Sequence, residues 1–142
     1  MKNRRAARGT QARADDSWAL PAPIDVGEGR TAVRLRLVAQ GRDLLVLITG
    51  GRAHIGAVAV RGATVGADGD LDGGVIQLPN HKEGPLAAEA AEVLARAASR
   101  TCAAAVGIHQ DDATPGEIDA IVANVRRGLQ HLADDLTKGN ER

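Results

Sequence analysis

Aromatic side chains are almost absent from this 142-residue chain, which has one tryptophan, Trp18, and no phenylalanine or tyrosine. Single-stranded nucleic acid is usually held on stacked aromatic platforms, and no such platform can be assembled here. A planar ligand would have to lie on imidazole, aliphatic or peptide surfaces. Cysteine is as scarce. Cys102 is the single thiol, set in the apolar run "TCAAAVGI", so a disulfide framework and cysteine-based zinc sites are excluded. A lone thiol in an apolar run suits a reducing compartment, and a cytoplasmic location is expected. Net charge is missing too, with 18 basic residues against 18 acidic; the balance points to neither nucleic acid nor a membrane surface as partner. No apolar run has the length that spans a bilayer. Arg4-Arg5 has no apolar stretch behind it and is not read as an export signal.

What is present reads as one domain behind a basic segment. Residues 1–30 are charged, Gly/Pro-bearing and aperiodic, and a disordered tail is expected there, with "WALPAPI" docking on the domain of residues 31–138. In "TAVRLRLVA", Val33, Leu35 and Leu37 alternate with Arg34 and Arg36, the pattern of a strand with one exposed face. "QGRD" turns the chain into "LLVLITG", apolar on both faces. A third strand runs from His54 through Ala57 to Arg61, "VIQLP" is a fourth, and "RTCAAAVGIH" is a buried fifth. The turn-rich "GADGDLDGG" between them lacks the ligand spacing of an EF-hand and is read as a surface loop.

Pro85 suits the first position of a helix, whose buried stripe is expected to be Leu86, Ala90, Val93, Leu94 and Ala97. Thr114 and Glu117 have the spacing of a capping box, and Ile118, Ile121, Val125, Leu129, Leu132 and Leu136 give a long amphipathic helix after it. Strands followed by helix, strand and helix argue an α+β fold: a single, mainly antiparallel sheet of about five strands with two helices on one face. The face carrying Arg34 and Arg36 is then solvent or a homodimer contact.

Three of the four histidines stand at element ends. His54 follows Gly50-Gly51 and precedes Gly56, and glycines on both sides let the backbone approach a ligand closely. His81-Lys82-Glu83 precedes a helix start, where unpaired amides and the helix dipole favour an anion such as a phosphate monoester. His109 ends the fifth strand, and Asp111 or Asp112 is placed to orient its ring. His131, on the polar side of the long helix, is a surface residue. The separations of 27 and 28 residues match no short metal motif. A three-histidine metal enzyme using His54, His81 and His109 stays open as an alternative, as does a purely structural role. No nucleophile elbow or dinucleotide fingerprint is found, so binding is favoured over catalysis.

Three blocks, "GGRAHIGAVAV", "LPNHKEGPLAAEAAEVLA" and "AVGIHQDDATPGEIDAIVANV", resemble in order and spacing the small LpdD-like family associated with UbiD-type decarboxylases of gallate and hydroxybenzoate. The resemblance covers roughly residues 31 to 134. It implies a non-catalytic chaperone or storage protein for prenylated flavin mononucleotide (FMN), the cofactor of the large decarboxylase subunit. Carried over by position, the matching residues are His54 and Gly56, then His81, Lys82 and Glu83, then Gly107, Ile108, His109 and Asp111, continued by Glu117, Ile118 and Asn124. Ala53, Asn80, Gly84, Gln110 and Asp112 depart from the usual forms, which touches fine ligand preference and not the histidines. The implied ligand is prenylated FMN or FMN itself, with His81 and Lys82 at the phosphate and Gly50, Gly51 and the imidazoles along the ring. A divalent ion between Glu83, Asp111 and the phosphate is a further reading.

Overall fold

The computed structural model describes residues 18–140. The basic stretch read as the start of a tail, residues 1–17, lies outside the described residues. Of the rest of that stretch, Ile24–Val26 forms a strand, β1, and Trp18, Leu20, Ile24 and Val26 pack against the core.

A 3-10 turn at Gly29–Thr31 leads to β2 (Val33–Gln40), β3 (Asp43–Gly51), β4 (Ala57–Val65) and β5 (Leu71–Gln77). Helix α1 (Gly84–Ala98), strand β6 (Cys102–His109) and helix α2 (Pro115–Asn140) complete the chain. The α+β class stands, with two corrections. Among the described residues there are six strands, and the sheet is mixed, in the order β1-β2-β3-β6-β4-β5. The parallel pair is β3 with β6, in register from Leu44 opposite Cys102 to Gly51 opposite His109. The physical reason is the α1 crossover. It carries the chain back across the sheet, so β6 enters between β3 and β4 rather than at an edge, pairing antiparallel with β4.

Alternation assigns the faces. Val33, Leu35, Leu37, Val46, Ile48, Ala57, Ala59, Ala104 and Val106 are buried on the helix side, while Arg34 and Arg36 are exposed on the other. The buried side of α1 is made of small residues, Ala87, Ala90, Ala91, Ala95 and Ala98, around Leu94. Leu86, Val93 and Ala97, expected in that stripe, are only partly buried. The alanines bring the helix close to a strand that is itself alanine-rich, and the larger side chains are displaced to the flanks. In α2 the expected Ile121, Val125, Leu129, Leu132 and Leu136 are buried, whereas Ile118 is 50% exposed. Gly128 sits where a Cβ would press on the Leu35 side chain. The buried amide of Asn124 donates to the Thr31 carbonyl at 2.9 Å and accepts from Arg127, tying α2 to the turn before β2. Cys102 is buried, and burial pushes its thiol up to about 12, so it is inert in the fold.

Candidate functional site

Parallel pairing puts the C-terminal ends of β3 and β6 side by side, at the rim where both helices start. Residues 52–56 leave β3 and cross over the end of β6. The crossing is fixed at both feet, by the Arg52 amide donating to the His109 carbonyl and the Gly56 amide donating to that of Val106, each at 2.9 Å. It can be this low because Gly107 has no side chain; a Cβ there would run into the His54 carbonyl. His54 is thereby laid beside His109. The loop after β5 then turns through Asn80, at φ +63°, and delivers His81 to the same place.

The three imidazoles therefore meet. The ring centroids of His54 and His81 are 5.0 Å apart, and those of His54 and His109 are 6.3 Å apart at a steep angle. Each ring is oriented by its own bond. His54 Nδ1 donates to the Arg52 carbonyl at 3.0 Å and its Nε2 lies 3.3 Å from the Glu83 carboxylate. His81 Nδ1 donates to the Pro79 carbonyl at 2.8 Å. His109 Nε2 stands 2.9 Å from Asp111 Oδ1, which also takes a bond from Arg52 Nη2 at 2.7 Å. The hydrogen bond to His109, with the nearby Arg52 guanidinium, holds the Asp111 carboxyl below its usual range. His131 is elsewhere, 3.5 Å from Asp135 along α2.

The glycines expected to line a ligand are mostly filled by the chain itself. Over Gly51 lie the His109 carbonyl and the Gln110 amide, and Gly50 faces the Ala32 carbonyl and Ile108. Gly56 receives the Glu83 carboxylate, which would collide with any Cβ there.

The start of α1 differs from a free anion site. The Gly84 amide donates to Gln77 Oε1 at 2.8 Å, Pro85 has no N–H, and the Ala87 amide donates to the Glu83 carbonyl at 2.8 Å. The Glu83 side chain caps nothing in the helix; it accepts from the Lys82 amide at 3.1 Å and is only 13% exposed beside His54. The start of α2 is closed by the expected capping box. The Glu117 amide donates to Thr114 Oγ1 and the Thr114 amide to Glu117 Oε1, both at 3.1 Å. Arg30 clamps the same corner, donating to Glu117 Oε2 at 2.8 Å and to the Asp111 carbonyl. The Thr114 amide and the Arg30 guanidinium lower the Glu117 carboxyl in turn.

Two cavities open on the imidazoles. One of about 530 Å³ runs between the two helix starts, with Leu86, Ile108, Ile118, Ile121 and Val122 as its apolar wall and Asn80, Lys82, Glu83 and Gln110 at its polar end. The other, of about 400 Å³, is lined by Arg52, Ala53, His54, His81 and His109. Both volumes lie within the roughly 300–1,000 Å³ of small-molecule sites. The donor set fits a ligand with a flat apolar part and an anionic part: imidazoles and branched aliphatics for one, a guanidinium for the other. Among the described residues no group of three or more His, Cys, Asp or Glu side chains is placed to hold a metal ion. Glu83 and Asp111 are each taken up by a different histidine. The sequence reading missed Arg52, Arg30 and the apolar wall. Arg52 stands inside "GGRAH", but its partner comes from 59 residues away, and no local pattern signals that.

A family model described as the prenylated flavin chaperone LpdD-like domain matches residues 27–137, and the chain belongs to that family. No curated protein matches the chain.

Proposed function

We propose that this protein is a non-catalytic accessory protein that binds prenylated FMN and protects it, or delivers it, to a UbiD-like decarboxylase in the cytoplasm. The observation that carries the reading is the meeting of His54, His81 and His109, from three distant segments, on the wall of an apolar cavity. The cofactor would supply a phosphate, a fused apolar ring system and an oxygen-sensitive reduced state. The chain's part is to hold it. Leu86, Ile108, Ile118 and Val122 keep water from an apolar ring, and the imidazoles, fixed by backbone carbonyls and carboxylates, offer flat surfaces and ring nitrogens at its polar edge. Among the described residues no helix is long and apolar enough to cross a membrane.

Anaerobic titration with reduced prenylated FMN tests the reading. Saturable binding by the wild type is expected, weakened about tenfold or more in the His54→Ala, His81→Ala double variant, roughly 1.4 kcal/mol or more. Absence of binding by folded wild-type protein refutes it. Homodimerisation belongs to the same reading. The sheet face turned from the helices exposes Ile76, Val60 and Leu78, and alternation sets half-buried Leu45, Leu47 and Val58 beside them. A second copy would cover that face, and light scattering of the purified chain at twice the 14.7 kDa mass is the expected result.

A further inference from the structure

We infer that the phosphate end of the ligand is gripped by Arg52, in the cavity it shares with the three histidines, and not by His81-Lys82 at the start of α1. This rests on the carrier reading above and assigns the ends of the ligand within it.

The two candidate places differ in what they leave free. At the α1 start the Gly84 and Ala87 amides already have acceptors and Pro85 has no N–H, which leaves the Leu86 amide alone. The Glu83 carboxylate, which accepts from the Lys82 amide and faces His54, adds negative charge beside that helix start, where it would repel an anion. Lys82 shares its cavity with that same carboxylate. The other cavity is lined by one guanidinium, three imidazoles and Ala53, with no carboxylate on its wall. Arg52 is bonded to Asp111, but both side chains are more than 70% exposed. An ion pair in that setting contributes little and exchanges readily. If Arg52 turns to a phosphate, Asp111 keeps its bond to His109, so no charge is stranded. A guanidinium also meets a phosphate with two parallel donors, which an ammonium cannot.

His54, His81 and His109 line both cavities. They form the partition between an anion-accepting basin and an apolar cleft. A ligand with its phosphate at Arg52 crosses the imidazoles and places its ring system between the helix starts, against Leu86 and Ile118.

The test compares reduced prenylated FMN with the same compound after phosphatase treatment, titrated anaerobically into the full-length wild type, Arg52→Gln, Arg52→Lys and Lys82→Gln. The wild type is expected to prefer the phosphorylated form by about tenfold or more. Arg52→Gln is expected to lose that preference while holding the dephosphorylated form as before, Arg52→Lys to regain part of it, and Lys82→Gln to keep it. A preference that survives Arg52→Gln, or one that vanishes in Lys82→Gln, overturns the assignment and leaves the carrier reading intact. Wild type that binds neither form overturns both.

Discussion

The two helix starts sit side by side at one rim and are built on opposite plans. The start of α2 closes on itself: Thr114 and Glu117 exchange hydrogen bonds, and Arg30 locks the corner from outside. The start of α1 has no such closure. The Gly84 amide is met by Gln77 and that of Ala87 by the Glu83 carbonyl, and the side chain of that N-cap acid turns away from the helix toward His54. A helix that caps itself is a local, structural matter. One whose cap is provided by neighbours frees a carboxylate to orient an imidazole. The same sequence ingredients, an acid and a turn before a helix, serve stability in one place and the site in the other.

The contrast can be broken hardest at the glycines. Gly107→Ala forces a Cβ into the His54 carbonyl, and a loss of about 3 kcal/mol in denaturant unfolding is expected, the upper end of overpacking costs. Gly116→Ala in the first turn of α2 meets only Thr114 Oγ1 at 4.0 Å and should leave stability within roughly 0.5 kcal/mol. Equal effects would erase the distinction between a site built on close backbone contact and a helix start with room to spare. Next in size is the cap itself. Thr114→Ala removes the side-chain acceptor of the Glu117 amide and should cost about 1 kcal/mol. Glu83→Gln, by contrast, should leave unfolding unchanged and move the ring resonances of His54.

The smallest effect is one of pH. Asp111 titrates below its usual range because His109 and Arg52 hold its ionised form. A carboxyl depressed in the fold contributes stability that is complete above its unfolded pKa and is lost as pH falls through the folded value. Acid titration followed by NMR should therefore show the His109 ring responding below the ordinary aspartate range, and Asp111→Asn should abolish that step. A His109 ring indifferent to that substitution would mean the pair seen at 2.9 Å does not govern it.

Much of this was legible from local pattern, and the reasons are physical. Period-two alternation marks β2 because one face is covered and the other is not. The capping box is a four-residue device, so four residues reveal it. Of the expected α1 stripe, Ala90 and Leu94 are buried, while Leu86, Val93 and Ala97 sit at its flanks and further alanines fill the contact, a choice set by the close packing of helix on sheet. Ile24–Val26 is three residues long, too short for a period to show. The parallel pairing, and with it the meeting of Gly51 and His109, depends on where a crossover lands. That choice is made by the whole sheet. Three histidines at element ends could be found by eye; Arg52 beside Asp111, and the apolar wall behind them, required the fold.

Ile118, half exposed near the top of α2, shows how such a berth would operate. It and Leu86 line the cavity between the first turns of two helices, one start closed by its own capping box and the other met by Gln77. If those first turns stay in place, a guest would come and go without either helix moving aside. Exchange would then be set by how firmly the guest is held and by encounters with whatever takes it next, and a receiving enzyme could accept it without first prying this molecule open.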